Sequence, residues 1–468
     1  MQGTSARRSW TFAARCRLGS LLLALCAGTC ATACAGATAP QLDANVRDQV
    51  DAVAGEWLAD TDAPSVSIAI VQQGALTYAN AYGRATPASR YAIDSVTKEF
   101  TAAAVLLLAE DGKLSLDDSL AKWHGDLGAA GTVTLRQLLS HTSGIRDYWP
   151  QDFVTPEMTR PTDPEPIIAE WVKRPLDFAP GADWQYSNTN YVLAATVVQQ
   201  ASGERFFDFL QERIFLPLHM MHVTDHALPR TANDIEGYTR HGLGPVRRAP
   251  REGAGWLFGA ADLIMRPADL AQWDISVIDR SLMQPRSYDA QIQATVLQSG
   301  ATTTYGLGLD VEHSRGRLRI GHSGSGSGFL SVNRIWPQDR TAIVVFTNDD
   351  WASPADLVNR IAYLILPPTA AEARARTVFA GLQAGTIDRR LFTDIGNFYL
   401  DAAALADLHA SLGPLGSPLD MEMDQQSNRG GMITRHWTIR CRHARLEAVE
   451  RGHPGGQLDE FLILKRGE

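Results

Sequence analysis

Hydrophobic positions along the chain predict a buried helix at the centre of the fold. From Phe100 to Ala109 every residue except Thr101 is apolar, which is typical of a helix buried on all sides, and Asp111-Gly112 marks its end. Upstream, apolar residues recur at helical spacing between Gln41 and Ala59 and predict an amphipathic helix. The core is therefore expected to form around a helix that has no solvent-facing side.

Alternating β-branched residues predict a sheet whose strands come from the beginning and the end of one domain's sequence. Ser65 to Gln72 and Ala75 to Tyr82 form a predicted hairpin through a turn at Gln73-Gly74. Between Asp94 and about Gln298, helices and long loops predominate. Later elements are strands over Tyr305 to Val311, Leu318 to Gly321, Gly328 to Trp336 and Thr341 to Thr347, then a helix from Pro354 to Leu366. The pattern predicts an α/β fold (an α+β sandwich), with an antiparallel sheet flanked by helices and an inserted all-helical region.

Pro367-Pro368 marks the predicted start of a smaller second domain, because neither proline can continue a helix. An amphipathic helix follows from Ala370 to Leu382, and strand patterns occur near Ile433 to Arg442 and Leu458 to Lys465. A turn at His453 to Gly456 would separate these two strands. The tail is thus predicted to be a C-terminal α+β domain over residues 367–468.

The first 39 residues have the composition of a secretory signal peptide. Arginines precede an apolar run from Leu18 to Ala27, and small residues with Ala-x-Ala sites follow it. The run is too short to span a bilayer, so we expect export to the periplasm or the medium. Ala-Thr-Ala-Cys ending at Cys34 leaves a lipid anchor open, although no leucine lies three residues before the cysteine. The predicted organisation is a signal peptide over 1–39, a main domain over 40–366 and an accessory domain over 367–468.

Charge and cysteine content narrow the function classes. Loss of the predicted signal peptide removes four arginines and no acid, so a chain with a formal net charge of -9 becomes more acidic. An acidic chain argues against nucleic acid as a partner. Only Cys441 lies beyond the first 34 residues, which excludes an internal disulfide framework. No His-x-His-x-Asp or His-Glu-x-x-His spacing occurs, so a zinc hydrolase is disfavoured and no cofactor is expected.

Candidate chemistry lies at the start of the predicted buried helix, in Ser95-Val96-Thr97-Lys98. Backbone N–H groups and the helix dipole favour negative charge near Ser95, and Lys98 follows one turn later on the same face. A lysine held among apolar groups has a lowered pKa and can help to take the serine proton, directly or through a neighbouring phenol. The pattern recurs at Ser119 to Lys122, but there it follows two aspartates and precedes no apolar run, which indicates a solvated surface.

Two further stretches carry groups that suit such a serine. Tyr186-Ser187-Asn188 lies on a predicted loop, where a phenol can relay a proton and an amide can bind both the lysine and a substrate carbonyl. His322-Ser323-Gly324-Ser325 lies at the predicted edge of the sheet, where a strand offers unpaired N–H groups and a glycine lets a substrate approach closely. Taken singly, each stretch is more typical of a surface loop or a flexible turn.

Together and in this order, the three stretches resemble the Ser-x-x-Lys, Tyr-x-Asn and Lys/His-x-Gly motifs of the serine β-lactamase and penicillin-binding-protein family. The resemblance is to its class C β-lactamase, DD-peptidase and esterase branch. Further matches are Thr132 to Ile145, Gly255 to Leu263 and Tyr305 to Gly308. The resemblance covers roughly Asp43 to Leu366, and the tail looks like an accessory domain of some relatives.

This resemblance implies that Ser95 is the acylated nucleophile and that Lys98 and Tyr186 form the proton relay. His322 stands where many relatives have lysine, and the backbone N–H groups of Ser95 and Ser325 would form the oxyanion hole. The residues with implied substrate-binding roles are Asn188, His322, Ser323, Gly324 and Ser325.

The substrate is less tightly defined than the family. Tyr-x-Asn in place of Ser-Asp-Asn excludes the class A β-lactamase mechanism. His322, only partly protonated at pH 7, would attract a substrate carboxylate more weakly than lysine does. We therefore expect an esterase or D-amino-acid peptidase that acts on small acyl, ester or peptide substrates. The alternatives are a class C-like β-lactamase and a non-catalytic module that binds cell-wall peptides, which the three intact motifs disfavour.

Overall fold

A six-stranded antiparallel sheet is the central element of the structure. The structure is a computed structural model, and it describes residues 40–151, 153–314 and 317–467. The predicted signal peptide, residues 1–39 with Cys34, lies outside the described residues. Within the described part of the chain, no helix combines the length and the hydropathy needed to cross a bilayer.

The strands form one large sheet, a four-stranded sheet near the C-terminus and two small sheets. Their bounds are β1 Ser65–Gln72, β2 Ala75–Gly83, β3 Tyr91–Ala92, β4 Thr224–Asp225, β5 Tyr238–Thr239, β6 Arg247–Arg248, β7 Leu263–Met265, β8 Asp310–Ser314, β9 Arg317–Gly326, β10 Phe329–Trp336, β11 Thr341–Thr347, β12 Asp420–Arg429, β13 Met432–Cys441, β14 Ala444–Gly452 and β15 Leu458–Gly467. The large sheet has the order β2-β1-β11-β10-β9-β8, and β12 to β15 pair in sequence order. The small sheets are β3-β7-β4 and β5-β6.

The α-helices cover the faces of these sheets and fill the region between β3 and β8. Their bounds are α1 Ala44–Thr61, α2 Thr97–Glu110, α3 Ala121–His124, α4 Leu135–Leu139, α5 Pro164–Trp171, α6 Asn188–Ser202, α7 Phe206–Leu210, α8 Pro267–Asp279, α9 Pro285–Ile292, α10 Pro354–Ile365, α11 Ala370–Ala384, α12 Asp394–Tyr399 and α13 Ala402–Leu412. The inserted region is thus mainly helical, and it also contains the short strands β4 to β7.

Both faces of the large sheet are buried, because its strands carry apolar residues in both orientations. In β1, Ala69 and Val71 belong to a hydrophobic cluster that includes α2 and α8. Ile68 and Ile70 belong to a second cluster on the other face, which includes α1 and α10. Helices therefore enclose the sheet on both sides, and the predicted α/β fold is confirmed.

The buried helix predicted between Phe100 and Ala109 is α2. All of its residues from Thr97 to Leu108 are buried, so no face of this part meets water. It ends at Glu110, two residues before Gly112, whose φ of 69° is left-handed and cannot continue a helix. Ser95 precedes α2 in a single 3-10 turn over Asp94–Val96.

The strand predicted over Tyr305 to Val311 is wrong for its first five residues, since β8 begins at Asp310. A turn forms instead, in which the N–H of Gly306 donates to the carbonyl of Leu309 at 2.8 Å. Gly308 has a φ of 76°, and a β-carbon there would lie 2.5 Å from the backbone oxygen of Lys98. Close packing against α2 therefore takes the place of strand pairing.

The C-terminal region contains two strands, β12 and β14, that the hydrophobic pattern did not predict. The turn near His453 joins β14 to β15, whereas β13 turns directly into β14. Glu450 interrupts the apolar pattern of β14, yet it is fully buried because Arg374 and Arg435 pair with it. The domain boundary at Pro367-Pro368 falls between α10 and α11 and stays a prediction.

Candidate active site

A cleft of about 1450 Å³ opens beside the turn that carries Ser95. Ser95 is partly exposed and lines this cleft. Asp94 has a φ of 47°, a left-handed conformation that few residues other than glycine adopt. Its carboxyl group is buried, and one oxygen has no hydrogen-bond partner within the described residues. The chain thus makes a sharp turn just before Ser95.

Lys98 is fully buried one turn after Ser95, and burial lowers its pKa to about 7. Its Nζ lies 3.0 Å from Oγ of Ser95, 2.8 Å from Oδ1 of Asn188 and 2.9 Å from the carbonyl oxygen of Ala260. The amide and carbonyl oxygens can only accept, so they take the two N–H groups of a neutral amine. The remaining lone pair then faces the Ser95 hydroxyl, which is the arrangement a base needs.

The second Ser-x-x-Lys sequence lies on the surface, as predicted. Lys122 pairs there with Asp118 at 2.6 Å, and its side chain is 51% exposed. Lys122 therefore lacks the removal from water that lowers the pKa of Lys98.

Tyr186 reaches Ser95 from the loop that precedes α6. Its hydroxyl donates to Oγ of Ser95 at 2.8 Å, and its ring packs on His141 with the ring centroids 4.3 Å apart. Removal from water raises the pKa of Tyr186 far above its usual value, so the phenol keeps its proton at neutral pH. Lys98 is therefore the basic group of the pair, and Tyr186 is the donor.

His141 and Ser143, in the matching segment Thr132 to Ile145, form hydrogen bonds to the residues that follow Tyr186. Nδ1 of His141 accepts from the N–H of Ser187 at 3.2 Å, and the hydroxyl of Ser143 donates to Oδ1 of Asn190 at 2.7 Å. These bonds fix the loop that carries Tyr186. Sequence reasoning assigned neither residue an individual role.

Asp147 is a site residue that sequence reasoning missed. Its Oδ1 accepts from the backbone N–H groups of Trp149 and Asn188, and its Oδ2 accepts from Nδ2 of Asn188, all at 3.0 Å. The last bond orients the amide so that Oδ1 of Asn188 faces Lys98. Burial raises the pKa of Asp147 to about 6, and its negative charge in turn raises the pKa of Lys98. Asp147 lies two residues after the matching segment and directly before two aromatic residues, and this position was the signal in the sequence that could have identified it as a site residue.

His322 lies on β9, where it is buried and uncharged. Its Nδ1 donates to the carbonyl oxygen of Ser323 at 2.5 Å, since a carbonyl can only accept. Nε2 is then the acceptor for the hydroxyl of Tyr305, 2.8 Å away. Burial, together with the nearby positive charge of Lys98, lowers the pKa of His322 to about 3. The expectation that His322 is partly protonated at pH 7 is therefore wrong.

The glycines of β9 pack against the turn that carries the serine. A β-carbon on Gly324 would lie 2.1 Å from the carbonyl oxygen of Ile93, and one on Gly326 would lie 2.1 Å from Oδ1 of Asp94. Gly324 also lines the cleft, and its role in binding a substrate stays a prediction. The glycines let β9 lie directly on the residues before Ser95.

Strand register directs the N–H group of Ser325 away from β10. Gly326 pairs with Phe329 across a two-residue turn, and hydrogen-bonded and non-hydrogen-bonded pairs alternate from there, so Ser325 belongs to a non-hydrogen-bonded pair. On the other side, β8 pairs with β9 only as far as Gly321. The Ser325 N–H group therefore faces the open edge of β9, as an oxyanion donor requires, and that role stays a prediction.

Ser323 lines the same cleft, and its hydroxyl accepts from the guanidinium group of Arg334 at 2.8 Å. In the described residues, no group of three or more His, Cys, Asp or Glu side chains is arranged to bind a metal ion. Cys441 is a buried free thiol on β13. The expectation of a cofactor-free enzyme stays a prediction.

Comparison with known proteins places these motifs in a family. A Beta-lactamase family model matches residues 42–365. Protein flp of Staphylococcus aureus is 28% identical over 323 residues, which are 64% of this chain and 63% of the relative. A D-aminopeptidase of Brucella ovis is 30% identical over 321 residues, which are 65% of this chain and 60% of the relative. The match thus spans less than two thirds of the length of these curated relatives.

Solved structures share the fold at lower identity. The D-amino acid amidase of Ochrobactrum anthropi SV3, complexed with D-phenylalanine, superposes with a TM-score of 0.61 at 22% identity and covers 69% of this chain and 99% of its own. The octameric penicillin-binding protein homologue of Pyrococcus abyssi has a TM-score of 0.58 at 19% identity and covers 90% and 99%. With a family model that spans most of the chain and a fold shared with these structures, the chain belongs to the Beta-lactamase family of serine hydrolases.

Proposed function

We propose that this protein forms an acyl-enzyme on Ser95, with D-amino-acid peptides, D-amino-acid amides or related small esters as substrates. The observation that carries the proposal is the convergence of two groups on one hydroxyl. Nζ of Lys98 lies 3.0 Å and the hydroxyl of Tyr186 lies 2.8 Å from Oγ of Ser95. Similarity to a D-aminopeptidase, and in fold to a D-amino acid amidase, supports the substrate class.

Acylation starts with attack of Ser95 Oγ on the substrate carbonyl carbon, while the hydroxyl proton passes to Nζ of Lys98. A lysine whose pKa is about 7 is largely neutral above that pH and can accept this proton. The electron pair of the carbonyl double bond moves onto the oxygen, which the N–H groups of Ser95 and Ser325 stabilise. Each such donor typically contributes on the order of 10²-fold or more to the rate.

Collapse of the tetrahedral intermediate breaks the bond to the leaving amine or alcohol. The phenol of Tyr186 donates its proton to that group, and after the leaving group has departed a water molecule in the cleft carries a proton from the Lys98 ammonium to the phenolate. A water molecule then attacks the ester carbonyl, with Lys98 again taking the proton. The bond between the acyl carbon and Ser95 Oγ breaks, Oγ takes the proton back from the Lys98 ammonium, and the acid leaves.

The uncharged His322 argues against the class C-like β-lactamase alternative. In relatives a lysine at this place supplies a positive charge, whereas the imidazole here has a pKa of about 3 and donates its single N–H to Ser323. A carboxylate next to the scissile bond therefore finds no cation at His322. Amide and ester substrates without that carboxylate suit the site better.

The test is covalent labelling followed by a substrate comparison. A fluorescent fluorophosphonate should label the wild-type protein and should fail to label Ser95→Ala, whereas Ser119→Ala, in the surface copy of the motif, should label normally. Failure to label the wild type would favour the non-catalytic alternative. Turnover of D-alanine p-nitroanilide, p-nitrophenyl esters and nitrocefin, measured side by side, then ranks the substrates; fastest turnover of nitrocefin would contradict the proposal.

We further propose that the protein works in the periplasm or outside the cell. The support is the arginine, apolar and small-residue pattern of residues 1–39. Fractionation of cells that express the full chain tests this, and recovery of the uncleaved chain in the cytoplasm would contradict it. Retention in the membrane fraction that is lost in Cys34→Ala would indicate the lipid anchor.

A further inference from the structure

A basic hairpin borders the active-site cleft at a distance from His322. The hairpin comprises β5, β6 and the loop between them, and three of its arginines line the cleft. These residues are Arg240, Arg247 and Arg248. Since His322 is uncharged and Lys98 is buried, the guanidinium groups of this hairpin are the accessible positive charges of the cleft in the described part of the chain.

The hairpin stands where β9 ends. The N–H of Tyr238 donates to the carbonyl of Asn348 at 3.1 Å, which ties the hairpin to the end of β11. A β-carbon on Gly328 would lie 2.6 Å from both the Ala249 side chain and the Tyr238 backbone, so the hairpin packs on the turn after β9. One strand residue, Gly326, separates Ser325 from that turn. A substrate that extends along the open edge of β9 therefore has one end near the hairpin.

The arginines are available to a ligand. Among the residues that the structure describes, none of the three forms a salt bridge: Arg240 lies over the ring of Trp351 at 4.6 Å, and Arg247 donates to the carbonyl of Pro245. Nε of Arg240 is buried and has no hydrogen-bond partner among the described residues. Arg248 is exposed on β6. Stacking on Trp351 holds the guanidinium plane of Arg240 in place, which lowers the entropic cost of binding an anion.

The acids of the cleft do not cancel this charge. Asp147 is half-buried and bonded through both carboxylate oxygens, and Asp94 is buried beneath the serine turn. Asp310 lies 3.7 Å from Arg334, which offsets its charge. Asp350 is the exposed acid of the rim. Among the described residues, three guanidinium groups without a salt bridge face one exposed carboxylate, so this end of the cleft is positive.

We propose that the basic hairpin is an anion subsite that selects substrates with a carboxylate remote from the bond that is cleaved. The substrate class is an N-acylated D-amino-acid amide, or a short peptide, whose acyl end carries a carboxylate. This subsite is separate from the position of His322, where the leaving group of a β-lactam-like substrate would place its own carboxylate. The identity of the bond that reacts rests on the proposed function. The preference for binding a remote carboxylate does not depend on it.

The test measures binding without turnover, in the Ser95→Ala protein. N-succinyl-D-alanine amide and N-acetyl-D-alanine amide differ by one carboxylate, held roughly 7 Å from the scissile carbonyl. Titration calorimetry at low ionic strength should give a lower Kd for the succinyl compound. Each substitution of Arg240, Arg247 or Arg248 by glutamine should reduce the ratio of the two Kd values by about two- to fivefold, as for exposed ion pairs.

Arg286→Gln is the matched control, because Arg286 is exposed on α9 outside the cleft and should leave the ratio unchanged. The preference should also shrink as salt is added. Equal Kd values for the two compounds would overturn the inference, and so would a preference that survives the triple glutamine variant. Absence of p-nitroanilide turnover in the wild type would instead count against the proposed function.

Discussion

Asp94 and Gly326 are in direct contact: Oδ1 of Asp94 lies 2.1 Å from where a β-carbon on Gly326 would stand. This contact joins the turn that carries Ser95 to the strand that carries Ser325. It therefore sets the distance between the two backbone N–H groups of the proposed oxyanion hole. Because the Asp94 side chain is buried, even one methyl group must displace its carboxylate or one of the two segments.

Gly326→Ala is accordingly expected to lower kcat by about 10²-fold, the usual cost of a misplaced oxyanion donor, with a smaller effect on KM. Steady-state kinetics on the best substrate measure this. Gly455→Ala is the control, since a β-carbon at this exposed turn would meet no atom within 4 Å. A Gly326→Ala protein with wild-type kcat would show that the contact does not position the site.

Tyr186→Phe removes the hydroxyl that donates to Ser95 and leaves the ring that packs on His141. Loss of a positioned proton donor should reduce kcat by about 10²- to 10⁴-fold, while the retained packing should keep KM close to that of the wild type. Tyr399→Phe, on the exposed surface of α12, is the matched control. If Tyr186→Phe keeps its kcat, the proton must reach the leaving group by a route that does not include this phenol.

The pH dependence of kcat/KM should report the proton on Lys98. The pKa of about 7 means that the amine is charged below this pH and neutral above it. Activity should therefore fall about tenfold for each pH unit below 7 and reach a plateau above it. Tyr186 keeps its proton throughout the accessible pH range, so it should add no second limb to the pH profile near neutrality. A profile that stays flat between pH 5 and pH 8 would rule out Lys98 as the base.

Asp147→Asn should change the pH profile of kcat/KM in two ways: the plateau and the pH of the acid limb should both differ from those of the wild type. Removal of the negative charge lowers the pKa of Lys98 further, so the acid limb should move to lower pH. The new NH₂ group would face Nδ2 of Asn188, two donors in contact, and the Asn188 amide would lose its orientation toward Lys98. Plateau activity should therefore fall as well.

Asp177→Asn is the control for this variant, because Asp177 pairs with Arg146 at the surface and does not contact Asn188. Its pH profile should match that of the wild type. An acid limb that moves to higher pH in Asp147→Asn would contradict the proposed coupling between Asp147 and Lys98.

Lys98→Met should abolish activity and change how stability depends on pH. The folded-state pKa of about 7 lies below the ordinary 10.5, so between these values the unfolded chain binds a proton that the folded chain lacks. Stability from this group therefore rises with pH across that window, by up to about 1.4 kcal/mol per pH unit. Urea unfolding at pH 7, 8 and 9 should show this rise in the wild type relative to Lys98→Met. Parallel pH dependences in the two proteins would contradict the lowered pKa.

Local periodicity was enough to predict much of the fold. The fully apolar run from Phe100 to Ala109 became α2, and the alternation around Gln73-Gly74 became the β1–β2 hairpin. These features depend on neighbours within a few residues, which a sequence displays directly. The spacing of Ser95 and Lys98 belongs to the same class, because one helical turn brings them together wherever the helix lies.

Contacts between distant segments decided the rest. The role of Asp147, the charge of His322 and the need for glycine at 324 and 326 depend on which groups lie nearby and how far water is excluded. The buried Glu450 of β14 follows the same rule, since only its arginine partners make its burial tolerable. Local sequence pattern thus predicted helices α1, α2, α10 and α11, most strands of the large sheet and the identity of the three motifs. Only the tertiary structure determined their protonation and alignment, because desolvation and long-range packing have no signature in local sequence.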